Sequence, residues 1–205
     1  MDKFRNKYRI DSARLASWDY SNPGLYFITI CTKDRINFFG EISDNEMYLN
    51  EIGEIADKFW GDIPDHFHDV ELGEFIIMPN HVHGIIIINE LHQQSSQTHV
   101  ETRHALSLLN KTTHPRFRNP GKHTISSMVG SFKSAVTKSA RLINIDFGWQ
   151  SRFHDHIIRS NDDYKRISNY IKYNPANWMR GKFIIIHRRD KACLVSTENK
   201  LHLRF

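Results

Sequence analysis

The sequence predicts an α+β fold in which helices pack on one face of a mainly antiparallel sheet. Three observations predict it: an element order of strand, helix, strand, strand, helix, strand, helix; two long apolar strand-like runs joined by Pro79-Asn80; and two amphipathic helical stripes in the second half of the chain.

Taken in order, residues 25–32 (LYFITICT) are β-branched and aromatic, which suits a pleated strand. Residues 36–42 and 47–49 form a hairpin, with Ser43-Asp44-Asn45-Glu46 supplying turn chemistry. A helix starts after Asn50, whose side chain can cap it, and Ile52, Ile55, Ala56 and Phe59 follow at helical spacing until Pro64 ends the region. Residues 71–78 are a second long strand, and 81–88 a third that pairs back on it. In that third strand both faces are apolar beyond the histidines, which marks it as central in the sheet. Ile125, Met128, Val129, Phe132, Val136 and Ile143 make one helical stripe, with Lys133, Thr137, Lys138 and Arg141 off it. A short strand at 156–159 leads into a last helix at 161–173, where Pro175 disfavours helical geometry for Asn174.

At 205 residues the chain is expected to be one domain. Positions 90–124 are polar, aperiodic and interrupted by prolines, and read as a flexible insertion; a basic tail follows position 181. No apolar run approaches the roughly 18 residues of a membrane span, and the charged N-terminus is not a secretory signal. Two cysteines, Cys31 and Cys193, exclude a disulfide scaffold or zinc knuckle and suit a cytoplasmic location. Net charge is +5, but positions 1–100 hold 8 Lys/Arg against 16 Asp/Glu, and positions 101–205 hold 20 against 7. A basic half of this strength favours a polyanionic partner, of which nucleic acid is the commonest.

Two segments carry chemistry. In Pro79-Asn80-His81-Val82-His83-Gly84 the histidines alternate along a strand and so share a face, where two imidazoles can ligate one cation. Imidazole suits zinc, manganese, iron or nickel, and magnesium less comfortably. Gly84 leaves room for a backbone or ligand to approach. The second segment is the helix from Asn161. At about 100° per residue, Tyr164, Ile167 and Ile171 form its core stripe and Tyr173 faces solvent. Tyr170 and Asn174 lie a turn apart on the flank, at the seam between helix and sheet.

With these segments in view, the chain resembles the single-tyrosine HUH transposases, in particular the REP-associated tyrosine transposases and their insertion-sequence relatives. The resemblance rests on YFITICT, PNHVHG, the block WQSRFHDHIIR at 149–159 and the block DYKRISNYIKYNP at 163–175, in this order and spacing. It implies a ferredoxin-like sandwich, a metal held by His81, His83 and Asn174, and Tyr170 as the catalytic nucleophile with His81 and His83. The implied activity is metal-dependent cleavage and rejoining of single-stranded DNA with hairpin ends through a 5′-phosphotyrosine, with Mg2+ or Mn2+ as cofactor. Lys133, Lys138, Arg141, Arg152 and Arg159 are candidates to hold the DNA backbone, and Trp149, Phe153 and His154 to stack on bases or pack. A flexible stretch at 146–161 permits a monomer or a homodimer that exchanges its tyrosines. Alternatives with the same residues are a domesticated or replication-type nickase, a hydrolase using water, and a hairpin-binding protein without catalysis.

Overall fold

The computed structural model describes residues 18–90 and 123–178, together with two short paired backbone strands, β1 (Lys3–Phe4) and β2 (Lys7–Tyr8). The expected insertion and basic tail lie almost wholly outside these residues.

The central sheet has four antiparallel strands in the order β6-β7-β3-β8: β3 (Gly24–Cys31), β6 (Val70–Met78), β7 (His81–Ile88) and β8 (His154–Ile158). Helix α1 (Glu51–Gly61) joins β3 to β6, and α3 (Ile125–Ala140) joins β7 to β8. The resulting βαββαβ connection with its fourth strand beside its first is the ferredoxin-like arrangement. β7 is internal, as its two apolar faces predict. A small hairpin of β4 (Gly40–Ser43) and β5 (Glu46–Leu49) and a short helix α2 (Ile63–His66) fill the first connection.

The helical layer on one face consists of α1 and α3, whose Ile52, Ala56, Trp60, Met128, Phe132 and Val136 pack on Tyr26, Ile28, Val82 and Ile86. The expectation of helices on one face is incomplete, because α4 (Asn161–Lys172) covers the other. Its Ile167 and Ile171 seal Phe27, Ile85 and Ile158. The physical reason lies in β7, which is apolar on both sides of the pleat and needs cover on both.

Local signals act where expected. The Asn50 side chain accepts from the Gly53 N–H at 3.0 Å and caps α1. Thr124 and Ser127 form a reciprocal capping box that starts α3. Several boundaries differ from expectation. Residues 36–39 are not strand, because Phe38 and Phe39 turn inward as core residues. Pro64 opens α2 rather than ending the region, consistent with the tolerance of a first helical turn for proline. Ile143 lies beyond α3 and is exposed, and Ala140 closes the stripe instead. β8 begins two residues earlier than the sequence suggests. After α4, Pro175 enters a new short helix, α5 (Asn174–Trp178).

Gly84 also has a different use from the one expected. A Cβ there would stand 2.3 Å from Trp60 Cζ2 on the α1 face, so the glycine admits a core indole, not a ligand.

Candidate functional site

β7 delivers His81 and His83 to the face covered by α4, where both are buried and their ring centroids lie 4.4 Å apart. Each ring has its Nδ1 occupied. Thr29, cross-strand partner of His83 on β3, places its hydroxyl 2.8 Å from His83 Nδ1. Asn80, in the turn before β7, places Oδ1 2.9 Å from His81 Nδ1, while its amide nitrogen donates to the Arg35 carbonyl. An Nδ1–H donated to Asn80 leaves the lone pair of His81 on Nε2, while the Thr29 hydroxyl holds the ring of His83 with its Nε2 turned towards Tyr170.

Burial pushes His81 down to about 3, with a smaller contribution from the positive charge of Arg35. His83 is lowered well below the ordinary imidazole value by burial, then by the neighbouring His81 and His154. At neutral pH both rings are therefore uncharged, the state in which imidazole can act as a ligand or accept a proton.

α4 brings Tyr170 over this pair, with its phenolic oxygen 3.2 Å from His83 Nε2 and its ring packed edge-on against Phe27. Tyr164 packs in the second core cluster and Tyr173 is 54% exposed, as their helical phases predict. Asn174 is buried at the start of α5, and Trp178 of the same helix stacks on His81 at 5.8 Å. Among the described residues no group of three or more His, Cys, Asp or Glu side chains gathers at one point. Any cation here would rely on the two imidazoles supplemented by an amide or by oxygens of a bound molecule. The two imidazoles nevertheless suit a divalent ion, being uncharged and each held at Nδ1.

The basic candidates divide. Lys133, Lys138 and Arg141 line one open groove of about 560 Å³ along the last turns of α3, which Ser134, Thr137 and Gln150 share and no acidic residue enters. Lys133 Nζ donates to the Gln150 carbonyl at 2.6 Å, and the Gln150 N–H donates to Cys31, whose strand partner is His81. The groove thus reaches the His81 end of the sheet. Arg152 is exposed just before β8 at that same end. Arg159 follows β8 at the opposite end, where it lines a separate cavity with Leu25 and Ile87.

Trp149 packs among Phe39, Phe132 and Phe147 and donates its indole N–H to the Lys133 carbonyl, which assigns it to packing. Phe153 is likewise half-buried against the main core. His154 stands opposite Thr29 on the histidine face. The supposed flexible stretch at 146–161 is tied down, since Phe147 is buried, Lys33 donates to Gly148 and Trp149 bridges Thr32. Within this chain, Tyr170 meets its own His83.

Sequence reasoning missed Thr29, Asn80 and Trp178. The first two had signals: Thr29 is a polar side chain inside an apolar strand, and Asn80 lies next to the histidine pair. Trp178 had none, because it depends on how α5 folds back.

Comparison with solved structures defines the fold. The chain has the fold of a REP-associated tyrosine transposase solved bound to a REP hairpin, with a TM-score of 0.51 over 82% of this chain and 74% of that one, at 19% identity. More specifically, it belongs to one family with an uncharacterized protein of Haemophilus influenzae, 38% identical over 175 residues that span 85% of this chain and 92% of the relative. No protein-family model matches the chain.

Proposed function

We propose that this protein is a metal-dependent single-stranded DNA endonuclease and strand transferase, a transposase whose nucleophile is Tyr170. The observation that carries the proposal is the 3.2 Å contact between the Tyr170 hydroxyl and His83 Nε2. A phenol is a weak nucleophile at neutral pH, with an unperturbed pKa of about 10, and gains reactivity when its proton is accepted or its phenolate stabilised. Here the hydroxyl lies beside the nitrogen through which His83, kept uncharged by burial, would hold a cation, and a cation there would stabilise the phenolate.

In the reaction proposed, the Tyr170 oxygen forms a bond to phosphorus and the bond from phosphorus to the 3′ oxygen breaks. The phenolic proton is given up and the departing 3′ oxygen takes one up. The product is a 5′-phosphotyrosine and a free 3′ hydroxyl, and attack by a 3′ hydroxyl on that linkage rejoins DNA with no energy cofactor. His81 and His83 through Nε2, with Asn174, would hold Mg2+ or Mn2+, which when bound polarises the phosphate and offsets its charge. Thr29 and Asn80 orient the two rings. Phe27 and Trp178 limit water around them. The groove of Lys133, Lys138 and Arg141 offers a path for the strand backbone that leads to the His81 end of the sheet. Support for a hairpin substrate comes from the solved transposase of the same fold, which is bound to a REP hairpin.

The test is incubation of the protein with labelled single-stranded hairpin DNA from the ends of the encoding element, with Mg2+ or Mn2+, followed by a denaturing gel. A covalent protein–DNA adduct, lost with Tyr170→Phe and with chelator, is expected. Cleavage without an adduct would instead assign the attack to water, and binding without cleavage would leave a hairpin-binding protein.

A further inference from the structure

An unusual piece of backbone places Arg35 against the turn that leads into β7. Asp34 and Arg35 both adopt left-handed conformations, with φ of 51° and 56°, in the tight turn that follows β3. Two consecutive non-glycine residues in this region are strained, and such strain concentrates where a side chain must be aimed. The turn is held on both sides. Arg35 N–H donates to Thr32, the Thr32 hydroxyl donates within reach of both Ile36 and Asn80 carbonyls, and the Arg35 carbonyl accepts from Asn80. Asn80 is the residue that holds His81. The backbone of Arg35 is therefore one hydrogen bond removed from the partner of a site histidine.

Its side chain has no comparable anchor at one nitrogen. Nη1 of Arg35 is buried and has no hydrogen-bond partner among the described residues. A guanidinium nitrogen left so is costly in a native fold and calls for an anionic acceptor supplied from outside the chain. Arginine's planar fork suits the nonbridging oxygens of a phosphate.

We infer that Arg35 is a phosphate-binding residue of the site, its Nη1 reserved for a nonbridging oxygen of the DNA phosphate that enters beside His81. This deepens the proposed function and rests on it for the identity of the ligand. The guanidinium would neutralise charge on the bound phosphodiester without contributing a proton or forming a covalent bond. It would also help to fix which phosphate of the strand is presented to Tyr170.

The test is a methylphosphonate walk read by equilibrium binding, which does not depend on Tyr170 chemistry. A fluorescent single-stranded hairpin oligonucleotide from the flanking DNA is prepared with one phosphate at a time made neutral, and its affinity for full-length wild type, Arg35→Gln and Arg35→Lys is measured. With wild type, one phosphate is expected to stand out, its neutralisation weakening binding by about 10-fold, in the range of a charge-assisted hydrogen bond. With Arg35→Gln, natural DNA should bind about 10-fold more weakly and that phosphate should lose its effect, while Arg35→Lys restores part of it. Thermal unfolding of Arg35→Gln should show no loss of stability, since a guanidinium charge with an unpartnered buried nitrogen has been removed.

The inference is overturned if the walk has the same profile in wild type and Arg35→Gln. It is equally overturned if Arg35→Gln unfolds at lower temperature with unchanged binding, because the residue is then structural. Failure of the Tyr170 adduct with an intact Arg35-dependent walk would refute the strand-transfer reading alone. Absence of any DNA binding would refute both.

Discussion

Thr29 and His83 face each other across the β3–β7 pair, and the threonine hydroxyl lies 2.8 Å from Nδ1 of the imidazole. This hydrogen bond ties Nδ1 of His83 to β3 and leaves Nε2 turned towards Tyr170. Partners of this kind are worth about 10–100-fold in metal affinity at histidine sites. Thr29→Val keeps the shape of the buried side chain and removes the hydroxyl. It should weaken Mn2+ binding by roughly that factor while the fold persists. Titration calorimetry with Mn2+ and circular dichroism on the same variant check both halves of the statement.

The Gly84 position should tolerate no side chain. Its Cβ would enter the Trp60 ring, with Phe75 Cβ at 3.0 Å behind it, and neither can move without disturbing the core. Gly84→Ala is expected to cost about 1–3 kcal/mol, the usual range for overpacking. Urea unfolding should show a lower midpoint at an unchanged slope.

Acid should destabilise the metal-free protein through the histidine pair. Both pKa values are depressed in the fold, to about 3 for His81, against an ordinary value of 6.5. The unfolded chain therefore binds more protons as pH falls below about 6.5. The stability these neutral rings permit is fully present above that pH and is lost progressively towards pH 3. Each ring contributes a slope of up to about 1.4 kcal/mol per pH unit in that window. Unfolding free energies at pH 7.5, 6.0 and 5.0 should fall steeply for wild type and less steeply for His81→Gln. Equal slopes would contradict the assignment.

The α3 groove should bind backbone, not bases. Lys138→Ala and Arg141→Ala each remove one cation from its lining. Each substitution should weaken single-stranded DNA binding similarly for unrelated sequences. Each should also reduce the dependence on salt, by about 0.7 in the slope of log K against log salt for every phosphate no longer neutralised. Arg159→Ala, at the other end of β8, should change neither quantity at this groove. Affinity measured across a salt series for two unrelated oligonucleotides separates these outcomes.

Much of this molecule was legible from local pattern. The alternation in residues 81–88 identified a central strand with both histidines on one face, and helical phase separated Tyr170 from Tyr164 and Tyr173. Such inferences succeed because side-chain direction repeats every two residues in a strand and every 3.6 in a helix, so relative facing follows from spacing alone. Capping by Asn50 was legible for the same reason, being an interaction between near neighbours.

Only the tertiary structure decided which faces meet. That α4 covers the sheet opposite α1 and α3, that Thr29 and Asn80 serve the two imidazoles, and that Asn80 also meets the Arg35 carbonyl all depend on strand order and on a tight turn. His83 and Tyr170 stand 87 positions apart, a separation that follows no spacing rule able to join them. What joins them is burial of two apolar faces of β7 at once, a property of the folded whole. Periodicity tells a chain which way its side chains point, and packing tells it what they point at.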